Sequence, residues 1–99
     1  MRVAAYGAAA KGAMLLNVAG ASRDDICFVA DANPLKQGQL MPGCRVPIEA
    51  PDRLRVERPD YLLILPWNIN DEIMYSTRFI AEWGGRFVLP SPTLRVIAA

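Results

Sequence analysis

The stretch RVAAYGAAAKG, residues 2–12, decides the fold. Its first half, Arg2 to Tyr6, is a short apolar run of the kind a buried strand needs, and Gly7 supplies the tight turn that ends it. Its second half opens a segment rich in Ala, Leu and Met. Leu15, Leu16 and Ala19 can share one face there and Gly20 is a stop, so the spacing predicts a helix over 8–19. Strand, glycine turn and helix make the opening unit of an alternating α/β chain, and the rest of the sequence repeats the pattern. Ile26 to Ala30 (ICFVA) is a continuous apolar run, as in strands buried on both faces of a parallel sheet, and Asp31 ends it. Val46 to Ile48 reads as a short strand, Pro51 to Arg55 as a turn of helix, and Tyr61 to Leu65 (YLLIL) as the strongest strand. Asn70 is the expected N-cap of a helix running to Trp83, with Asp71 and Glu72 complementing its positive end. Ile69, Ile73, Thr77 and Ile80 form its buried stripe, with Trp83 packing at its end. Gly84 and Gly85 close that helix, Arg86 to Leu89 is another strand, Pro90-Ser91-Pro92 breaks it, and Leu94 to Ile97 adds an edge strand.

The expected architecture is α/β, a small Rossmann-like three-layer domain over 1–99 with a mostly parallel sheet of about 4–5 strands and right-handed crossovers. A length of 99 residues allows one domain, without room for separate cofactor and substrate domains. Eleven Lys and Arg against ten Asp and Glu leave a net charge of +1, which supplies no basic field for nucleic acid. There is no histidine, so this chain alone builds no Ser-His-Asp or Cys-His arrangement, no histidine base and no His-containing metal site. Cys27 and Cys44 form no C-x-x-C and have no flanking acidic pair; Cys27 is expected buried in its strand and Cys44 incidental in a loop, with no metal bound. The longest uncharged stretch, Gly12 to Ser22, has 11 residues, short of the ~20 apolar residues that span a bilayer. Lys11, Gly12, Asn17 and Gly20 interrupt any signal-like hydrophobic region, so the chain reads as cytoplasmic, without a membrane partner.

In open parallel sheets ligands collect outside the carboxyl ends of the strands, which directs attention to Gly7 to Gly12, Asp31 to Gly43 and Pro66 to Asn70. The first loop, Gly7-Ala8-Ala9-Ala10-Lys11-Gly12, fits G-x-A-x-x-G, the dinucleotide fingerprint with its second glycine replaced by Ala9. A methyl group there weakens the close approach of backbone to a pyrophosphate, whereas a helix N-terminus still favours an anion. Asp31 closes the second strand 19 residues after Gly12, about where a ribose-binding carboxylate belongs. The only two lysines, Lys11 and Lys36, fall in the first two loops and suit a diphosphate as point charges. Asp31, Asn33 and Gln37 offer donors and acceptors for a ribose, base or sugar, or else stabilise the turn at Pro34. Trp67 and Asn68, directly after an apolar strand, make a stacking platform beside an amide, or pack beneath the long loop. Tyr6 is either a hydroxyl donor at the site or a core tyrosine, and Glu72 an acceptor or an exposed first-turn acid.

Four motifs in order, YGAAAKG at 6–12, DANPLKQGQLMPGCRVPI at 31–48, PDYLLILPWNINDEI at 59–73 and EWGGRFVLPSP at 82–92, resemble the C-terminal domain of the sugar C-methyltransferases. Together they cover nearly the whole chain. Those enzymes use S-adenosylmethionine (SAM) to methylate a ring carbon of nucleotide-activated keto-deoxysugars; an N-terminal module holds structural zinc, a middle domain binds the methyl donor, and the C-terminal domain anchors the nucleotide-linked sugar. The resemblance implies that Gly7, Ala8, Ala9, Lys11, Gly12, Asp31, Asn33, Lys36, Gln37, Trp67 and Asn68 surround a nucleoside diphosphate sugar. The sequence lacks the zinc cysteines and a methyl-donor domain, where the family's catalytic His, Tyr and Glu mainly reside, so no catalytic residue is carried over. The expectation is a substrate-anchoring domain, catalytically incomplete alone, with no cofactor of its own and SAM on a separate domain or partner, in the same or another chain. Two alternatives stand beside it: a small dinucleotide-binding module using Asp31 for a ribose, and a protein-interaction domain that pairs with another chain through its sheet edge or an exposed apolar face; an oligomer is compatible with each.

Overall fold

A computed structural model describes residues 2–8, 25–65, 70–89 and 95–99. The helix expected over 8–19 falls outside the described residues beyond Ala8, as do Ala9, Lys11, Gly12, Trp67, Asn68 and Ile69. Six strands form one sheet: β1 (Val3–Tyr6), β2 (Val29–Ala30), β3 (Ile48–Glu49), β4 (Tyr61–Ile64), β5 (Arg86–Leu89) and β6 (Arg95–Ala98). Their order is β3-β2-β1-β4-β5-β6, with the first five parallel and β6 antiparallel to β5. The expected mixed α/β architecture is present, with β3 and the antiparallel edge strand bringing the sheet to six.

Register sorts the side chains onto two faces. Ala4 lies opposite Leu62, and Leu62 opposite Phe87, so these residues share a face. That face buries Ala4, Phe28, Ala30, Leu62, Ile64, Phe87 and Leu89 against Leu54, Ile73 and Ile80. The three covering residues come from helix α1 (Arg53–Glu57), helix α2 (Asn70–Ser76) and a 3₁₀ segment at Arg78–Trp83. On the other face Ala5, Val29 and Ile48 lie in one row, and Ile26, Met41, Val46 and Leu65 join them. Each large aliphatic side chain buried this way contributes about 1.5–3 kcal/mol.

Three local departures from sequence expectation have physical causes. The long helix expected from Asn70 to Trp83 breaks at Thr77, which is buried and whose hydroxyl donates to the Ile73 carbonyl at 2.6 Å. The Ile73 carbonyl also accepts the Thr77 amide at 3.0 Å, so the ladder holds through Thr77; a back-bonded Thr bends a helix, and the chain then winds more tightly over 78–83 until Gly84 ends it at φ +77°. Cys27, expected buried, is exposed, because the chain bends there and enters β2 only at Val29; Cys44 is the cysteine that packs against the second core cluster. The strand expected at Val46 to Ile48 is displaced to Ile48–Glu49, since Val46 instead closes a hairpin with Met41, whose amide donates to the Val46 carbonyl at 2.8 Å. This hairpin carries Met41 and Val46 onto the sheet and covers the β3 edge, where the Gly38 amide donates to the Ile48 carbonyl and the Ile48 amide to the Gln39 carbonyl.

Helix α1 stops at Arg58, which takes a left-handed conformation at φ +48° and is followed by buried Pro59. The Pro59 carbonyl accepts the Trp83 indole N–H at 2.9 Å, so Trp83 does pack at the end of its segment. A β-carbon on Gly85 would stand 2.9 Å from the Ile80 carbonyl oxygen and 3.2 Å from that of Pro59. Gly85→Ala is therefore expected to cost about 1–3 kcal/mol through overpacking. Gly84→Ala meets no atom within 4 Å and should cost about 1–2 kcal/mol through backbone strain alone. Urea denaturation of both variants checks this; a Gly85→Ala protein as stable as wild type would show that the close approach to Ile80 is readily relieved.

Candidate functional site

β1 has β2 on one side and β4 on the other, so the strand order reverses beside it. In open parallel sheets ligands collect at such a reversal, outside the carboxyl ends of the strands, which here means beyond Tyr6 and Ile64. Gly7 leaves β1 at φ +103°, a conformation that disfavours any side chain, and its buried amide donates to the Ala30 carbonyl at 2.9 Å. Ala8 follows, half-buried against the second core cluster.

The loop after β2 is built around Asp31. One carboxylate oxygen accepts the Ala8 amide at 2.8 Å and the other accepts the Asn33 amide at 2.8 Å. The backbone of Asp31 is also engaged, its amide donating to the Glu49 carbonyl and its carbonyl accepting the Gln37 side-chain amide at 2.8 Å. Lys36 reaches back to the first loop, its Nζ donating to the Ala8 carbonyl at 3.1 Å. Both polar groups of the Ala8 residue are thus held from the second loop, the N–H by Asp31 and the C=O by Lys36. Asn33 accepts the Leu35 amide at 3.0 Å through its side-chain oxygen, and the Lys36 amide bonds to the Asn33 carbonyl. Leu35 is left at the tip, 80% exposed.

Gly7, Ala8, Asp31 and Lys36 accordingly meet at one place, and Asn33 and Gln37 shape the loop that brings them there. The turn-stabilising role weighed for Asp31 and Asn33 is present in full. What sequence reasoning missed is the cavity of about 630 Å³ along α2, lined by Asp71, Glu72, Ile73, Tyr75 and Ser76. Glu72 is exposed there, and Tyr75 is 68% exposed with the Arg78 guanidinium 4.2 Å from its ring centre. The available signal was position: Tyr75 lies between Ile73 and Thr77 and so off the buried stripe.

Tyr6 ends β1 and packs against the first core cluster. Burial pushes its phenol above the usual 10.0, and the charge of Asp31 adds to the shift. Tyr6 thus keeps its proton as a donor near neutral pH. Because the folded state holds this proton more tightly than the unfolded chain, the stability it contributes is complete below 10.0 and declines as pH rises through the raised value. Thermal melting above pH 10 should fall more steeply for wild type than for Tyr6→Phe; parallel curves would assign the alkaline loss to other groups.

A family model for the C-methyltransferase C-terminal domain matches residues 1–92. The chain is also 44% identical over 97 residues to the C-methyltransferase NovU of Streptomyces niveus, an alignment covering 98% of this chain and 23% of that protein. The chain therefore spans about a quarter of the length of the curated relative it matches. No helix among the described residues is long and apolar enough to cross a membrane. The family match takes in all five parallel strands and both loops that meet at Ala8, and on that ground the chain belongs to the family of C-methyltransferase C-terminal domains.

Proposed function

We propose that this domain anchors a nucleoside diphosphate sugar, of the deoxysugar class its motifs suggest, for a SAM-dependent C-methyltransferase module in the same or another chain. It orients the substrate and is catalytically incomplete alone. The observation that carries this reading is the joint at Ala8, where the glycine turn and the Asp31–Lys36 loop lock together at the strand-order reversal and leave a lysine charge beside it. Family membership supports the methyltransferase context.

Lys36 offers a cation to a diphosphate at this joint, beside the Asp31 carboxylate that is held on two backbone amides. A dinucleotide is disfavoured, because Ala9 stands where the fingerprint has glycine.

Calorimetry with thymidine, uridine, guanosine and cytidine diphosphates should find at least one that binds the 99-residue chain, more tightly than NAD. Failure of all four at millimolar concentration would sink the proposal. Lys11→Met and Lys36→Met should each weaken binding by about 1–3 kcal/mol if both make charge-assisted contacts. Unchanged affinity in both variants would return these lysines to the surface.

A further inference from the structure

Leu35, at the tip of the loop after β2, is 80% exposed. Leu40, Val56, Tyr75 and Val96, the other large apolar side chains left open among the described residues, range from 50% to 68%. A leucine on a slack loop is free to fold back onto the protein and leave water. This one is held out. Its amide donates to the Asn33 side-chain oxygen at 3.0 Å, and its carbonyl accepts the Gln39 side-chain amide at 3.0 Å. The turn around it is closed by the Lys36 amide on the Asn33 carbonyl at 3.0 Å and the Gln39 amide on the Lys36 carbonyl at 3.2 Å. Two side chains of the loop thus serve the backbone of a residue whose own side chain stands in water. An apolar group presented on a backbone already fixed loses little freedom when a partner covers it.

The loop leaves β2 at its carboxyl end, the end of the sheet where Asp31 and Lys36 meet Ala8. Methyl transfer needs the donated methyl group and the accepting carbon in contact, so a module that brings the donor to a sugar held at this end must approach over this end. In NovU the aligned region is 23% of the protein, so most of that chain lies outside it. We propose that Leu35 is a docking residue for the methyl-donor module, seated in an apolar recess of that module. The proposal rests on the methyltransferase reading above and names a contact between its two modules.

Hydroxyl-radical labelling read by mass spectrometry tests it, on the 99-residue chain alone and on NovU carrying this chain in place of its aligned segment. Leu35 is expected to react at least about fivefold less in the chimera, as a side chain in the fully buried centre of an interface does. Equal labelling would overturn the proposal. Intact NovU gives a second reading that needs no chimera: its segment aligned with 33–40, corrected for side-chain reactivity, should be less labelled than that of the isolated chain, and equal labelling there overturns the proposal too. Photoleucine placed at position 35 of the chimera should cross-link to the methyl-donor module; cross-links to any other part would overturn it. Labelling of Leu35 in the isolated chain that falls as its concentration rises would assign the residue to a contact between copies and overturn it as well. None of these readings involves a nucleotide, so failure of every nucleoside diphosphate to bind would sink the anchoring reading without touching them.

Discussion

β1 carries hydrogen-bond ladders to β2 on one side and to β4 on the other, and both of its faces are covered. Ala4 points into one core and Ala5 into the other, each fully buried. Two small side chains thus stand at the middle of the sheet. Larger residues are then needed at the flanks, and Phe28, Leu62, Ile64 and Phe87 supply them on one face as Met41, Val46 and Ile48 do on the other. With β2 and β3 on one side of β1 and β4 and β5 on the other, the strand order reverses beside β1, the place where sheets of this kind take their ligands.

The loops after β1 and β2 are joined by a short set of polar bonds. Asp31 and Lys36 together fix Ala8, and the Gly7 amide on Ala30 fixes the residue before it. Asn33 and Gln37 stiffen the loop from within, and the Gly38 amide ties its far end to β3. The loop after β2 is therefore part of the scaffold.

Much of this was legible in the sequence because hydrophobic runs and glycines report directly on sheets and turns. YLLIL at 61–65 and RVAAY at 2–6 became β4 and β1 within a residue of their expected limits. The break at Thr77 was hidden, since Ile73, Thr77 and Ile80 keep a helical spacing of buried residues whether the last turn winds as an α-helix or as a 3₁₀ segment. The hairpin over Met41 and Val46 was hidden for a different reason: its Pro42-Gly43 turn reads as loop, and only the sheet beneath makes it pack. At the site, sequence position marked Asp31 and Lys36 as polar groups near a glycine turn. It did not show that they reach one residue from two sides, because that meeting depends on the β1–β2 register.

That meeting bears on the kind of work the site can do. A general acid or base functions best with a proton affinity near the working pH and a free position from which to transfer the proton. The chain contains no histidine. Among the described residues of the site, the Tyr6 phenol is held above its usual range and both Asp31 oxygens are bonded to amides. The Asp31 bonds tie the loop after β2 to the Ala8 backbone and make that joint rigid, and rigidity serves orientation, which is itself a large part of a bimolecular rate.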